Sequence, residues 1–562
     1  MRNIFVAIGG SGAKVAEALV RLLAIGFPIT RSKETNVLTS AGGTLEFWVV
    51  DPDTDSAATT DLNSCIKAYK SLEGLLGEKW AISIDKDVRL FNPLDLPGVN
   101  NDGNTLRSLL SAGGTQSTED FLDVFYKPEE LDIEINRGFY QKPFIGAAVM
   151  AMFAESLTQG TGTGGQKDLF NQLKSEQANF FLCGSLHGGT GASGLPVMGK
   201  FLRSEKRAEK GDVRWQIGAC LLGPYRLPLG PPFGADGRLV TDELIEEKSK
   251  FFDAKNERSK PYRRAYDSLG EVERKQLVKQ VLLGFYANPD EICQRAHQGL
   301  LFYHNNVLNR RDLGRVFDDV YVVSKPQPTQ LTEWSNGGKS QANPLDSAEV
   351  VAALTSLNFF AGSTVGGGTE YIVGASTEER DDKLQSMDLY DLPYYSIGDE
   401  IVDPERTFLA SSILVHFLSH EIPWDVAAKR WSGIDNLRRG YLHRAGEKAK
   451  RSDATAYKEA ANLIGESMRS MVDTSKTMGW HAQVSRILDH LMSEQSIENM
   501  EKKGFSDDEP KAKFVLGRSS IAVSSFQIGR WYPKGEGAIS RGEYLRMIWS
   551  NLYALKQDIV AN

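Results

Sequence analysis

Two glycine-rich segments have the residue types of phosphate-binding turns. The first is Gly9-Gly10-Ser11-Gly12 and the second spans residues 184–194, and each follows a short apolar run. Glycine lets the backbone approach a phosphate closely, and free N–H groups at a helix N-terminus attract anions. The pattern predicts a polyphosphate site made largely of main-chain donors, with hydroxyl donors from Thr190 and Ser193. The predicted phosphate-binding residues of the second segment are His187, Gly188, Gly189, Thr190, Gly191, Ser193 and Gly194.

Neither segment completes a standard nucleotide motif. Val15 stands where the first segment would need the third glycine of a dinucleotide fingerprint, and no Gly-Lys-Ser/Thr follows as in a P-loop. Two alternatives therefore stay open. The first segment could be a tight strand-to-helix turn, and the second a flexible surface loop.

Two acidic residues, Asp51 and Asp53, directly follow the apolar run 47–50. Carboxylates beside a phosphate-binding turn repel the phosphate unless a hard cation lies between them, and Mg²⁺ bound partly through water is the usual solution. We therefore predict that Asp51 and Asp53 hold Mg²⁺, mainly through water. The alternative is an Asp/Pro turn exposed to solvent.

Five apolar runs are predicted as strands, namely residues 4–8, 47–50, 180–183, 215–222 and 320–323. Strands that alternate with helices favour a largely parallel sheet covered on both faces. Ligands of such sheets bind at the carboxyl ends of the strands, where the glycine segments and the acids fall. The predicted fold class is α/β, a three-layer Rossmann-like nucleotide-binding domain with a mostly helical α+β region after it.

The chain is long enough for two or three domains. Residues 1–335 are predicted as the nucleotide-binding domain, with an insertion at about 226–316 that contains a charged helix from Asp242 to Tyr266. Residues 336–362 are predicted as a central connecting helix. Residues 363–562 are predicted as a C-terminal domain, mostly helical with some strand.

The composition limits the function classes. The net charge is −8, whereas a protein that binds nucleic acid by broad phosphate neutralisation needs a basic face, so nucleic acid is not an expected partner. No apolar segment reaches the ~20 residues that cross a bilayer. The four cysteines are far apart and form no Cys-x-x-Cys pair. This usage is typical of reduced thiols, so we expect a cytoplasmic protein without a membrane span.

The order and chemistry of these segments resemble the tubulin/FtsZ superfamily. The glycine loop at 188–194 resembles its Gly-Gly-Gly-Thr-Gly-Ser/Thr-Gly signature, although His187 stands where the family has its first Gly and Ala192-Ser193 replace the closing Ser/Thr and Gly. Residues 9–12 resemble the first nucleotide loop, and residues 50–54 resemble the Val-Asp-Leu-Glu-Pro-Thr segment of tubulin. The resemblance covers residues 1 to about 360 and is strongest to the divergent bacterial tubulin-like proteins.

The resemblance implies GTP or GDP as the ligand, together with Mg²⁺, and it adds site residues. Residues 138–146 resemble the γ-phosphate loop of FtsZ, which implies phosphate contacts from Gly138, Lys142 and Gly146. The guanine base would lie between a helix at about 296–306 and the start of the long helix. Amide and carboxylate side chains there suit the guanine edge. The implied base-binding residues are Asn305, Asn306, Asn343 and Asp346.

The resemblance also implies a GTPase that assembles into homo-oligomers or filaments. The Asn-x-Asp-x-x-Asp/Glu motif that supplies the catalytic acid in the family is absent after Phe360, so no catalytic residue is assigned. Two alternatives stay open. One is a non-hydrolysing, nucleotide-gated scaffold whose C-terminal region binds a protein partner, in a bacterial defence or cell-organisation system. The other is an oxidoreductase that binds NAD(P).

Overall fold

A computed structural model describes most of residues 2–360 and three short strands beyond them. Within 2–360 the description leaves out residues 25–29, 32–37, 40–43, 77–82, 85–87, 97–104, 111–121, 160–172, 174–175, 209–214, 287, 304–306, 308–315, 325–327, 336, 342 and 344. Beyond residue 360 it covers residues 369–373, 395–397 and 400–402.

Parallel strands form one central sheet, and the five predicted strands are confirmed among them. The strands are β1 Arg2–Ile8, β2 Thr44–Val50, β3 Ser83–Ile84, β4 Arg89–Phe91, β5 Ala178–Ser185, β6 Trp215–Leu222, β7 Asp319–Val323 and β8 Thr369–Val373. Their order in space is β8-β7-β6-β5-β1-β2-β3, and β4 pairs with the carboxyl end of β2. Strands β1 and β5 are buried almost throughout, as expected for a parallel sheet covered on both faces.

Helices follow most of these strands. The longer ones are α1 Gly9–Ala24, α2 Ala57–Leu76, α3 Pro143–Gln159, α4 Gly189–Ala208, α5 Asp242–Ser249, α6 Lys260–Asp267, α7 Glu271–Leu282, α8 Pro289–Tyr303 and α9 Ser347–Phe360. The short ones are Leu106–Leu110 and Pro128–Leu131, with 3₁₀ turns at Lys250–Phe252, Glu257–Ser259 and Gly338–Ser340. Two-residue or three-residue strand pairs complete the structure: Thr30–Arg31 with Leu38–Thr39, Arg226–Leu227 with Thr329–Gln330, and Tyr395–Ile397 with Glu400–Val402.

The helices cover both faces of the sheet. Helix α1 contacts α2 and α9, whereas α3 packs on α4. The crossover β1–α1–β2 runs to one side of the sheet and β5–α4–β6 to the other. Right-handed crossovers that run in opposite directions place their helices on opposite faces. The predicted α/β core, a parallel sheet flanked by helices, is thereby confirmed.

The strand order reverses between β1 and β5. These two strands pair in register from Arg2 with Ala178 to Ala7 with Cys183, so both leave the sheet at the same level. In open α/β sheets, the crevice outside the carboxyl ends at such a reversal is where ligands bind. Both glycine-rich segments start at this crevice.

The insertion between β6 and β7 has a small core of its own. The rings of Phe252 and Tyr266 stack at 4.0 Å between centroids. The single helix predicted from 242 to 266 is wrong, because α5 and α6 are separated by two 3₁₀ turns. The side chains of Asp253 and Asn256 accept local backbone N–H groups at 2.9 and 3.2 Å, and such bonds compete with a helix.

The region after residue 335 contains two described elements of interest. Helix α9 lies within the segment 336–362. Strand β8, Thr369–Val373, pairs in parallel with β7, although the sequence assigns it to the C-terminal domain. The helices expected further along the C-terminal region lie outside the described residues. None of the described helices combines the length and apolar character that a bilayer crossing requires.

Candidate phosphate-binding site

Both glycine-rich segments form the first turn of a helix. Helix α1 begins at Gly9, directly after β1, and α4 begins at Gly189, four residues after β5. The second segment is therefore mostly helical rather than a long loop. First-turn N–H groups have no acceptor within their own helix. Because β1 and β5 are neighbours, two sets of such donors and two positive dipole ends lie side by side.

The two turns touch each other. A Cβ atom added at Gly9 would lie 3.2 Å from the Cβ of Thr190 and 3.4 Å from the nitrogen of Gly191. Gly9 also has a φ of +75°, which side chains rarely adopt. A Cβ at Gly12 would overlap the carbonyl oxygen of Cys183. These glycines allow the two helix N-termini to approach closely.

Gly10 differs from its neighbours, because a Cβ added there would meet no atom of the described residues within 4 Å. It is the second residue of α1, where a helix accepts any side chain without strain. Packing therefore does not explain this glycine. Open space beside a first-turn N–H group is the arrangement that a bound anion needs.

Asp51 lies beside the second turn. Its Oδ1 is 3.5 Å from the hydroxyl oxygen of Thr190 and accepts the N–H of Asp53 at 3.3 Å. Burial raises the pKa of the Asp51 carboxyl to about 8, and the negative charge of Asp53 adds to the rise. A buried carboxylate is costly unless a cation compensates it.

Asp53 is the second member of this acid pair. Its pKa is raised by burial, while the N–H of Gly338 and the charge of Arg137 act in the opposite direction. The Gly338 bond to Oδ2 is 2.8 Å long. No cluster of three or more His, Cys, Asp or Glu ligands occurs in the described part of the chain. A Mg²⁺ ion held by Asp51 and Asp53 would take its remaining ligands from water and phosphate oxygens.

The hydroxyls of the two turns are engaged with protein atoms. The Ser11 hydroxyl lies beside the phenol of Tyr225, where it acts against the rise in the pKa of that phenol. The Ser193 hydroxyl donates to the carbonyls of Gly189 and Thr190 at 2.7 and 3.2 Å, inside α4. The main-chain N–H groups of these turns, rather than the two serine hydroxyls, are the donors left for a ligand.

His187 is buried just before α4. Its Nδ1 atom has no hydrogen-bond partner among the described residues. Burial, and then the positive charge of Arg295, lower the pKa of the imidazole to about 4, so the ring is neutral near pH 7. A neutral imidazole can donate or accept a hydrogen bond with a ligand, but it supplies no positive charge.

The remaining phosphate candidates fall in different places. Gly138 faces Thr190, since a Cβ added there would lie 4.0 Å from its hydroxyl oxygen. The Lys142 ammonium instead donates to the Glu130 carboxylate at 2.6 Å, so its charge is already paired within the protein.

Three further glycines pack against protein atoms. A Cβ at Gly146 would overlap Ser193, which brings α3 close to α4. A Cβ at Gly194 would lie 2.6 Å from Ile8. The N–H of Gly188 donates to the Ser185 hydroxyl at 3.1 Å.

The predicted base-binding residues are only partly described. Asn305 and Asn306 lie outside the described residues, and Asn343 is partly exposed. Asp346 caps α9: its Oδ1 accepts the N–H of Ala348 at 3.0 Å, and Glu349 accepts the N–H of Asp346 at 2.7 Å. This is a reciprocal cap, and its Asp-x-x-Glu spacing is a signal that the sequence contains.

The sequence analysis missed two groups near the site. Gly337 and Gly338 have left-handed φ values of 84° and 62° and bring the segment before α9 to Asp53. Tyr225 donates to Glu349 at 3.1 Å and so joins Ser11 to the start of α9. Only the Gly-Gly pair could have been noticed in the sequence.

No protein-family model, curated protein or solved structure matches this chain. The geometry of the site therefore carries the functional argument, and the resemblance to the tubulin/FtsZ superfamily stays a prediction.

Proposed function

We propose that the chain binds a guanine nucleotide with Mg²⁺, in a site of the tubulin/FtsZ kind. One observation carries this proposal: the first turns of α1 and α4 meet at the reversal of strand order, with the buried Asp51 and the partly buried Asp53 beside them. The preference for guanine over other bases comes from the resemblance.

The pairing of donors with acids selects the ligand class. Main-chain N–H groups and two helix dipoles attract phosphate oxygens. Asp51 and Asp53 would repel the same oxygens unless a divalent cation joins them. A nucleoside di- or triphosphate with Mg²⁺ satisfies both requirements. The pyrophosphate of NAD(P) leaves the acid pair without a cation and the second turn without a role, so we rank an oxidoreductase below this proposal.

A nucleotide-gated scaffold is the second candidate, and one contact favours it. Ser11 in the first turn lies beside Tyr225, and the Tyr225 hydroxyl donates to Glu349 in the first turn of α9. Arg226 also donates to Glu349, at 2.9 Å. A ligand that moves Ser11 would therefore disturb buried contacts at the start of the helix that leads to the C-terminal region.

Thermal unfolding with GTP, GDP, ATP and NADH, each with and without Mg²⁺, tests the binding proposal. A nucleotide at 100 times its Kd stabilises the fold by about 2.7 kcal/mol. We expect GTP and GDP to raise the melting temperature, more so with Mg²⁺. No shift with any purine nucleotide would remove the proposal, and a shift with NADH alone would favour the oxidoreductase.

Phosphate release at several protein concentrations separates the two candidates. A rate per molecule that rises with concentration would indicate a GTPase that is completed by self-assembly. Binding without release at any concentration would indicate the scaffold.

A further inference from the structure

Three polar side-chain contacts join the loop 137–142 to helices α7 and α8 of the insertion. Each contact joins one loop residue to α7 or α8, far away in the sequence. The contacts are an ion pair between Arg137 and Glu273, a hydrogen bond from Gln280 Nε2 to the Tyr140 hydroxyl at 3.2 Å, and a hydrogen bond from Arg295 Nη1 to the Gln141 carbonyl at 2.8 Å.

The same loop has an unusual backbone. Gly138, Tyr140 and Gln141 have φ values of +106°, +46° and +55°. Residues other than glycine rarely adopt such values, and they keep them only where the surrounding structure imposes them. The contacts from the insertion to Tyr140 and Gln141 fall on these two strained residues.

The loop also forms part of the candidate site. A Cβ added at Gly189, the first residue of α4, would lie 2.7 Å from the Cβ of Phe139. Gly138 faces Thr190, whose hydroxyl lies 3.5 Å from Asp51. In nucleotide sites the cation bridges the outer phosphates. The acid pair therefore marks the end of the site where the terminal phosphate would lie, and the loop lies at that end.

We propose that the insertion positions the loop 137–142 for the terminal phosphate, and that Arg295 and Gln280 are positioning residues for a triphosphate. This inference rests on the proposed nucleotide site. A loop held in one strained conformation presents its backbone N–H groups at a fixed place. Without the ties the loop relaxes, and only the contacts to the terminal phosphate are lost.

The test compares GTP and GDP affinities in Arg295→Met, Arg295→Lys and Gln280→Leu variants. Loss of one charge-assisted bond to the loop should weaken GTP binding about tenfold in Arg295→Met while GDP binding stays the same. Arg295→Lys, which retains a charged donor, should recover most of the loss. Lys275→Met is the matched control, because Lys275 is an exposed cation of α7 with a single ion pair to Glu271.

Equal losses for GTP and GDP, or no loss for either, would overturn the inference. Gln280→Leu provides an independent variant if Arg295→Met does not fold. Amide exchange of residues 138–142 without nucleotide should be faster in Arg295→Met than in the control. If the wild-type protein binds neither nucleotide, the proposed function and the phosphate discrimination fail together. Unchanged exchange would show separately that the insertion does not hold the loop.

Discussion

The two glycine turns resemble each other in sequence but differ in what surrounds them. The second turn has more glycines, yet Gly189 and Gly191 lie against the backbone of Phe139 and Ser185. In the first turn, Gly12 is equally enclosed, whereas a Cβ added at Gly10 would face open space as far as the described residues extend. Glycine content thus reports how closely backbones pack and is a poor measure of ligand contact. A side chain added at Gly10 would therefore affect ligand binding most directly.

The largest expected effect is on folding, at Gly191. In Gly191→Ala the new Cβ would lie 2.6 and 2.7 Å from the backbone nitrogen and oxygen of Ser185, atoms that cannot move aside alone. We expect the free energy of unfolding to fall by about 3 kcal/mol, measured by urea denaturation. Gly10→Ala is the control and should retain wild-type stability or gain about 0.5 kcal/mol. If the two variants were equally stable, the second turn would not be more tightly packed at Gly191 than the first turn is at Gly10.

We expect a loss of folding stability in acid to arise beside the second turn, because His187 directly precedes that turn. The first turn, residues 9–12, contains no titratable side chain. The pKa of His187 is about 4 in the fold, below its ordinary 6.5. Below pH 6.5 the unfolded chain binds a proton that the folded chain does not, so this contribution to stability is lost as the pH falls towards 4.

His187→Gln isolates this contribution, since glutamine stays neutral. Between pH 7 and pH 5, the free energy of unfolding should fall by about 2 kcal/mol more in the wild-type protein than in the variant. Asp51 acts in the opposite direction, because its raised pKa makes the folded state the better proton acceptor up to about 8. Both proteins contain Asp51, so its contribution cancels when their pH profiles are subtracted. Parallel pH profiles from denaturant unfolding would contradict the neutral, buried state of His187.

For ligand affinity, in contrast to stability, we expect the larger effect from a substitution in the first turn. In Gly10→Ala the added methyl group enters the open space beside the first-turn N–H groups, so we expect GTP and GDP affinity to fall about tenfold in a folded protein. Titration calorimetry measures both affinities. Unchanged affinity in the folded variant would place the phosphates away from the first turn.

The smallest expected effect concerns the cation. Asp51→Asn removes the carboxylate beside Thr190, so the gain in nucleotide affinity that Mg²⁺ provides should fall about fivefold, while affinity without Mg²⁺ stays the same or rises. Asp55→Asn is the matched control, because Asp55 is an exposed acid two residues after the pair. An equal Mg²⁺ response in both variants would exclude Asp51 as a cation-binding residue.

Local sequence patterns were enough to predict the strands and turns that frame the site. Short, continuous apolar runs such as 4–8 and 180–183 become buried parallel strands, because only strands covered on both faces are apolar throughout. Parallel strands all end at the same edge of the sheet. The glycine segments and the acid pair after these runs were therefore expected at that edge, and the strand order then brought them together.

The role of each residue at the site depends on its tertiary contacts. Lys142 is directed to Glu130, and Asp346 caps α9. The short strands β3, β4 and β8 exist only through their neighbours in the sheet.

The tie between Arg295 and Gln141 spans 154 positions of the chain. Local patterns record which atoms a residue offers, whereas contacts over such separations depend on how distant segments pack.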